Sequence, residues 1–534
     1  MNLEQALGIL SKSSPYAVST ELDNSQDKLA VYKKYIYIET EIEADFAQSL
    51  TSMNSGDILF LCGSSGDGKS EILTRYSQQF KSRIDFHLDA THSFSPDQTA
   101  IEALDDRFLK TKQTQRPLVL GVNIGMLGNY AEEGSTSHDD IKSSLKAFLD
   151  SNSQNIPENH RYLDFEHYPK FKLSQEECTS EFADSLIHKL TNTSLENPFY
   201  ALYQNQIQKT GHSRLTANFG LLGLESVRKT VVDLLLKARL IKDQFLTART
   251  LLDFIHQIIT GKSYLFDNLF LGGDNDLLSH IRSFDPSNIH TRKVDEFILQ
   301  FSLGIEDEEF LLLEKQAREY GVFEINNPQS YLRLAYIVKN EAEFDNAYLN
   351  DLRRDFENTL VARFANNWVL HKDFDGSGSQ KKELNLFYKE VLIASIHKYC
   401  NRHAPTLDKD TFFVAQYNGF KIAAELEVKP NFVEIAANSA NPARIGYFVA
   451  HIQVDDQPLI PMPISIKLME LLIKITQGYR PNKHDKNAVL LLDEAIDQLL
   501  NQANRKNVLT IIKDDRRYKV TDEGDSYFEV SGLV

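Results

Sequence analysis

The chain has 534 residues, more than a single core accommodates, so two to four domains are expected. Its 42% apolar and 25% charged residues are those of a globular protein, and no run of about 18 apolar residues exists to span a membrane. A formal net charge of −17 argues against autonomous, tight DNA binding, because neutralising phosphates takes a basic surface.

In chain order, residues 1–50 read as an N-terminal helical segment, with apolar-faced stretches at LEQALGIL and YIETEIEADFAQSL. The start, MNLEQALGILSKSS, lacks the basic-then-apolar order of a signal peptide. Cys62, Cys178 and Cys400 have no neighbours at metal-site spacing, so a reducing, cytoplasmic setting is expected. From about residue 57, short apolar runs alternate with helical patterns, which predicts a parallel α/β core over 51–172. Its strands are DILFLC (57–62), RIDFHL (83–88), PLVLGVN (117–123) and YLDFE (162–166).

Residues 173–340 read as mostly helical, for example in SVRKTVVDLLLKARLI and LTARTLLDFIHQII, each with a hydroxyl residue near its start as a cap. KDFDGSGSQKKE (372–383) reads as an exposed loop. Beyond Asp410, TFFVAQY, FKIAAELEV and IGYFVAHIQV predict an antiparallel sheet. Helices at about 464–477 and 486–503 and short terminal strands complete an α+β region over 341–534.

The stretch Gly63-Ser64-Ser65-Gly66-Asp67-Gly68-Lys69-Ser70 satisfies G-x-x-x-x-G-K-[ST]. It follows an apolar strand and opens an amphipathic helix, SEILTRYSQQF, which is the context the motif requires. Glycines at 63, 66 and 68 allow backbone N–H groups to point at phosphate oxygens, and the helix N-terminus adds a favourable dipole. Lys69 is placed to bridge the β- and γ-phosphates of ATP, and Ser70 to hold Mg²⁺. The plain alternative, a glycine-rich turn without a ligand, is disfavoured because that strand–loop–helix context is present.

Hydrolysis also needs a carboxylate for the metal ion and a group to orient water. The string VLLLDEA (489–495) resembles such a strand end. However, it continues as LLLDEAIDQLLNQ with apolar residues at helical spacing, so a helix is expected there. Better candidates follow the sheet strands, because ligands bind beyond the carboxyl ends of parallel strands. Asp89 follows the second strand and is the candidate metal ligand beside Ser70. Asn123 ends the third; an asparagine can orient water or contact a phosphate but cannot act as a base. Asp164 and Glu166 close the fourth. Arg249, in LTARTLLDF, falls in the first turn of a helix, where an arginine can touch the γ-phosphate and couple it to lid closure. Arg214 and Arg228 are weaker candidates for action on a neighbouring copy.

A nuclease pattern is also present in outline. Asp410, Glu427 and Lys429 spell D…E-x-K, in which two acids hold Mg²⁺ and a lysine stabilises developing charge. Such a short string is common, and Lys429-Pro430-Asn431 reads as a turn, so an ordinary charged hairpin is the favoured reading.

Five stretches in this order resemble one family: GSSGDGKSEIL, LDATHSFSPDQTAIEALD, GVNIGMLGNY, YLDFEHYPKF and LTARTLLDFIHQIITG. The chain resembles the DptF family of bacterial phosphorothioation-dependent DNA restriction systems over most of 55–265, with a less distinctive likeness at GYRPNKHDKNAVLLLDEAIDQLL. The resemblance implies a P-loop ATPase that acts with partner proteins against DNA lacking a sulfur mark in its backbone. Only Gly63, Gly66, Gly68, Lys69 and Ser70 match positions with an assigned role. The missing Asp-Glu pair implies slow or partner-dependent turnover.

The expected architecture is therefore an α/β P-loop NTPase core with a helical lid, followed by an α+β C-terminal region. The expected function is that of an ATP- and Mg²⁺-dependent subunit of a DNA restriction complex. Its partners would be other subunits and DNA reached through them, with no membrane. Lid-bearing ATPases often borrow an arginine from a neighbour, so self-assembly is open to this chain. A nucleotide-sensing scaffold without useful turnover is the second reading, and an ATP-gated nuclease subunit the third.

Overall fold

The computed structural model describes the chain apart from residues 15–28, 91–97, 151, 169, 174–177, 243–245, 306–307, 342–343, 345–351, 354–355, 357–358, 440–444, 514–515, 525–526 and 534. Part of the LDATHSFSPDQTAIEALD stretch, at 91–97, and the side chain of Cys178 lie outside the described residues. The chain divides into two compact units, Met1–Lys172 with Cys178–Glu357, and Leu173–Glu177 with Asn358–Val534.

The first unit begins with three short helices: α1 (Leu3–Leu7), α2 (Ala30–Ile36) and α3 (Glu41–Ser52). The expected helix at YIETEIEADFAQSL starts only at Glu41, because Tyr37 is extended and Thr40 takes the extended N-cap conformation. Next come β1 (Ile58–Cys62), α4 (Lys69–Phe80), β2 (Asp85–His87), α5 (Ala100–Thr114), β3 (Leu118–Val122), α6 (Ile124–Glu133), α7 (Asp139–Leu149) and β4 (His160–Asp164). The four strands form one parallel sheet in the order β2-β3-β1-β4.

Every residue of β1 and β3 is buried, as in a sheet covered on both faces. Side-chain alternation divides these residues between two cores. Ile58, Phe60 and Cys62 pack with Leu118, Leu120 and Val122 under α5, α6 and α7. Leu59, Leu61 and Val119 pack on the other face, against Phe46 and Leu50 of α3 and Ile72 and Leu73 of α4.

The first three strands run shorter than the apolar texture suggests, and the fourth lies two residues earlier, at His160–Asp164. The fourth ends at Asp164, whose carboxylate accepts from the Glu166 N–H at 3.1 Å and turns Phe165–His167 into a 3₁₀ turn.

A helical region follows: α8 (Glu181–Thr191), α9 (Pro198–Thr210), α10 (Arg214–Leu222), α11 (Glu225–Lys242), α12 (Ala248–Thr260) and further helices to Val338. The expected cap of α12 is made by Thr247, whose Oγ1 accepts from the Thr250 N–H at 3.2 Å. For α11 the expected cap is corrected: the helix starts at Glu225, so Ser226 lies inside it. The chain's first residues pack here, α1 against α9, the 3₁₀ turn Gly8–Leu10 against α12, and α2 against α8 and α9.

The second unit contains a five-stranded antiparallel sheet. Its strands run in the order Tyr527–Leu533, Arg516–Gly524, Val508–Lys513, Phe420–Glu425, Thr411–Tyr417. IGYFVAHIQV does not join it, contrary to expectation. Tyr447–Ala450 pairs with Met462–Ser465, and Ile452–Val454 pairs with Val428–Pro430. The division falls at His451, whose N–H donates to Tyr388 Oη at 3.0 Å instead of continuing one ladder. The loop expected at 372–383 is also shorter. Ser377 caps a helix over Gly378–Phe387, with the Gln380 N–H on its Oγ at 3.3 Å. VLLLDEA lies within the helix Lys486–Ala503, as its periodicity predicts.

His371 sits at the centre of this unit's aromatic core, stacked on Phe448 at 4.4 Å. Its Nδ1 donates to Asn367 O at 2.6 Å, and its Nε2 accepts from Tyr388 Oη at 3.0 Å. Burial pushes its pKa from 6.5 down to about 4, so the folded chain binds fewer protons here than the unfolded chain. The stability it contributes is full above the unfolded value and is lost as pH falls from about 6.5 towards about 4. Wild-type stability in this unit should therefore drop by about 2 kcal/mol more between pH 7 and pH 5 than that of a His371→Gln chain. Trp368, the chain's single tryptophan, is buried one turn away in the same helix and reports the transition by fluorescence.

Candidate functional site

Register brings the candidate residues to one edge of the parallel sheet. Cys62 is level with Val122 on one side and with Asp164 on the other. The residues that follow β1, β3 and β4 are thus Gly63, Asn123 and Phe165, side by side. β2 pairs His87 with Leu120, and beyond it the Ala90 N–H donates to Gly121 O at 2.9 Å, which sets Asp89 on the same rim. A cavity of about 390 Å³ opens here, lined by Ser65–Ile72, Asp89, Asn123, Phe165 and Arg249, among others.

The loop between β1 and α4 holds its shape through glycine conformation and a few polar contacts. Gly66 and Gly68 have φ of 87° and 104°, left-handed values that disfavour any side chain. A Cβ at Gly66 would also lie 3.1 Å from Thr247 Oγ1 and 3.3 Å from Arg249 Cβ, so the loop is in direct contact with the start of α12. There the Arg249 N–H donates to Gly66 O at 3.2 Å.

Lys69 opens α4, and its Nζ donates to Gly63 O at 2.8 Å and Ser64 O at 2.7 Å. Burial pushes its pKa below the usual lysine range, while the carboxylates of Asp67 and Asp89 pull it upward. Ser70 follows on the first turn of the same helix, facing the cavity. An ammonium and a helix N-terminus meet here, a combination that can hold a polyanion such as a phosphate chain.

Asp67 is spoken for within the loop. Its Oδ2 accepts from the Ser64 N–H at 2.7 Å, and its Oδ1 pairs with Lys170 Nζ at 2.6 Å. Lys170 also donates to the carbonyl of Leu246, two residues before α12. Nothing in YPKF marks Lys170 for this role; only the fold brings it to the loop. It ties the loop to the helical region through a carboxylate that is 7% exposed. Lys170→Met should leave that carboxylate without its cation and free Leu246 O. Amide exchange at 64–68 and at 246–250 is expected to rise together by about 10-fold or more, read by mass spectrometry. Unchanged exchange at 246–250 would show that the bridge does not tie the two.

The remaining candidates occupy distinct places. Asn123 Oδ1 accepts from the Met126 N–H at 2.7 Å as the cap of α6, which fixes its side chain at the rim. Glu166 is exposed on the 3₁₀ turn and is not among the cavity's lining residues, whereas Phe165 is. Arg228 pairs with Asp184 at 2.6 Å, and Arg214 donates to Lys262 O; neither lines the cavity. Asp410, Glu427 and Lys429 belong to the second unit, where Lys429 pairs with Glu427 at 3.4 Å and with Asp456 at 2.9 Å on an exposed edge. Among the described residues no cluster of three or more His, Cys, Asp or Glu side chains is arranged to hold a metal ion. Nor is any helix among them long and apolar enough to cross a membrane.

Comparison with protein-family models, with curated proteins and with solved structures finds no match to this chain.

Proposed function

We propose that the first unit is a P-loop NTPase core with a helical lid, and that the chain is the ATP-binding and hydrolysing subunit of a phosphorothioation-dependent DNA restriction complex. One observation carries the nucleotide reading: a glycine loop at the end of the central strand faces Asp89, Asn123 and Arg249 across a single cavity, with Lys69 and Ser70 opening the next helix. The restriction reading rests on the resemblance of the five stretches to the DptF family. The net charge of −17 fits a complex in which partner subunits carry most of the DNA footprint. Buried, unpaired Cys62 and Cys400 suit a reducing cytoplasm.

The roles follow from position. Loop N–H groups and Lys69 bind the phosphate chain, with phosphate oxygens taking the place of Gly63 O and Ser64 O as partners of Nζ. Arg249 stands at the seam between loop and lid, where contact with the terminal phosphate would draw α12 onto the core. Asn123 has its oxygen committed to the helix cap, so its amide N–H₂ is the group that can orient a phosphate or water. Ser70 and Asp89 are hard oxygen donors of the kind Mg²⁺ prefers, and both line the cavity. These two residues would hold the ion, which would supply neutralisation of phosphate charge.

The second reading, a nucleotide-sensing scaffold, is favoured by one specific feature. β3 is followed by Asn123 rather than by an acid, which removes a general base from the end of the strand beside the loop. The deciding measurement is phosphate release by the purified chain against Lys69→Ala, with and without unmodified DNA and partner subunits. Release well above the Lys69→Ala control in any of these conditions supports the ATPase. Tight ATP binding with release at the control level throughout supports the sensor.

A further inference from the structure

The glycine loop and its rim make only part of the cavity wall. Much of the rest comes from places far from any nucleotide motif: Ile9 and Leu10 after α1, Ile36 and Ile38 around the end of α2, and Phe182 and Leu186 on α8, six apolar side chains that share this side of the cavity with the polar Ser11, Lys33, Tyr37 and Thr40. Ile38 and Phe182 are only half-buried, so the protein itself leaves apolar surface uncovered beside a polyanion-binding loop. Covering such surface is favourable, and a flat heteroaromatic ring suits a concave apolar wall.

This wall is held in place from several sides. Tyr37, between the two isoleucines, donates through Oη to Glu43 at 2.7 Å, and its ring lies under the Arg75 guanidinium of α4 at 4.0 Å. Arg75 in turn pairs with Glu43, which is 2% exposed, at 3.2 Å. From the helical region, Lys189 Nζ donates to Tyr37 O at 2.7 Å, and Tyr35 Oη donates to Lys189 O at 3.1 Å. Lys12 N–H donates to Asp253 of α12 at 2.9 Å, which anchors the segment carrying Ile9 and Leu10. Lys33 pairs with Glu71 of α4 at 3.2 Å. Residues 33–43 are thus stitched to the core helix that carries Lys69 and to the helical region that carries Arg249.

We infer that this apolar wall is a nucleobase compartment, and that the N-terminal segment makes the site selective for a nucleoside triphosphate over a bare triphosphate chain. The inference rests on the proposed reading of the glycine loop. One molecule with a polyanionic end and a flat apolar end satisfies both halves of the cavity. Because the wall joins core and helical region, an occupied base compartment braces α8 against α4.

The test is calorimetric titration of the full chain with ATP and with inorganic tripolyphosphate at equal magnesium concentration. The wild type should bind ATP about 30-fold or more tightly than tripolyphosphate. Phe182→Ser and Ile38→Ser should each weaken ATP binding about 10-fold and leave tripolyphosphate binding unchanged. Ile38, at the helix end, keeps the test open if Phe182→Ser does not fold. Lys69→Ala should weaken both ligands. Equal affinities of the wild type for the two ligands, or serine variants with unaltered ATP affinity, would overturn the base compartment while leaving the loop reading intact. A Lys69→Ala chain that binds both ligands as the wild type does would overturn the loop reading itself.

Discussion

A Lys69→Ala chain is expected to bind ATP about 100-fold more weakly than the wild type and to release no phosphate above background, with its fold intact. Removing one member of a desolvated, hydrogen-bonded charge pair costs about 2–5 kcal/mol, and a 100-fold loss corresponds to about 2.7 kcal/mol. The loss should be this large because Lys69 is half-buried and desolvated, so its charge acts on a ligand with little screening.

The fold should survive for a related reason. Burial already disfavours the Lys69 ammonium, and a cation at the first residue of α4 opposes the helix dipole. Alanine relieves both and is the best helix former, which offsets the lost bonds to Gly63 O and Ser64 O. Calorimetric titration and thermal unfolding of the same preparation check the two halves of this expectation. A variant that unfolds early would mean that Lys69 is chiefly a structural strut for the loop.

The second large effect is expected at Asp89. Asp89→Asn should lower phosphate release about 100-fold or more while changing ATP affinity by less than about 10-fold. Three acids line the cavity: Asp67, Glu71 and Asp89. Asp67 and Glu71 belong to the loop and to α4 themselves. Asp89 lies just beyond the end of β2, on the rim that β1 and β3 share, and with Asp67 it is close enough to attract the Lys69 charge.

Asparagine keeps the shape and removes the charge, so a rate effect without a binding effect isolates the work of the carboxylate. Turnover by Asp89→Asn at the wild-type rate would remove Asp89 from the mechanism. Equally low release by the wild type and Asp89→Asn, with ATP still bound, would make the site a switch.

Local patterns carried much of the first unit. The run ILFLC is apolar at every position because both faces of β1 are covered, and such a run can be read without knowing what covers it. The glycine loop is legible for the same reason, since left-handed backbone and a following helix start are requirements met within eight consecutive residues. Periodicity also exposes a misleading Asp-Glu: VLLLDEA sits in a helix because its apolar residues recur at helical spacing. Arg249 is found in the first turn of α12, where Thr247 caps the helix as its position in LTART indicates.

The partners of each pattern were decided only in three dimensions. Tyr447–Val454 reads as one strand but serves two sheets, because strand pairing depends on which distant segment offers its edge. Lys170 reaches Asp67 across 103 positions, and Ile9, Ile38 and Phe182 meet around the same cavity as Lys69. No spacing rule links such residues, since side-chain periodicity reports which face of an element is buried and not what is packed against it. The loop's backbone conformation and the helix it opens were therefore written in the sequence, whereas its enclosure by the N-terminal segment and the helical region arose from packing alone.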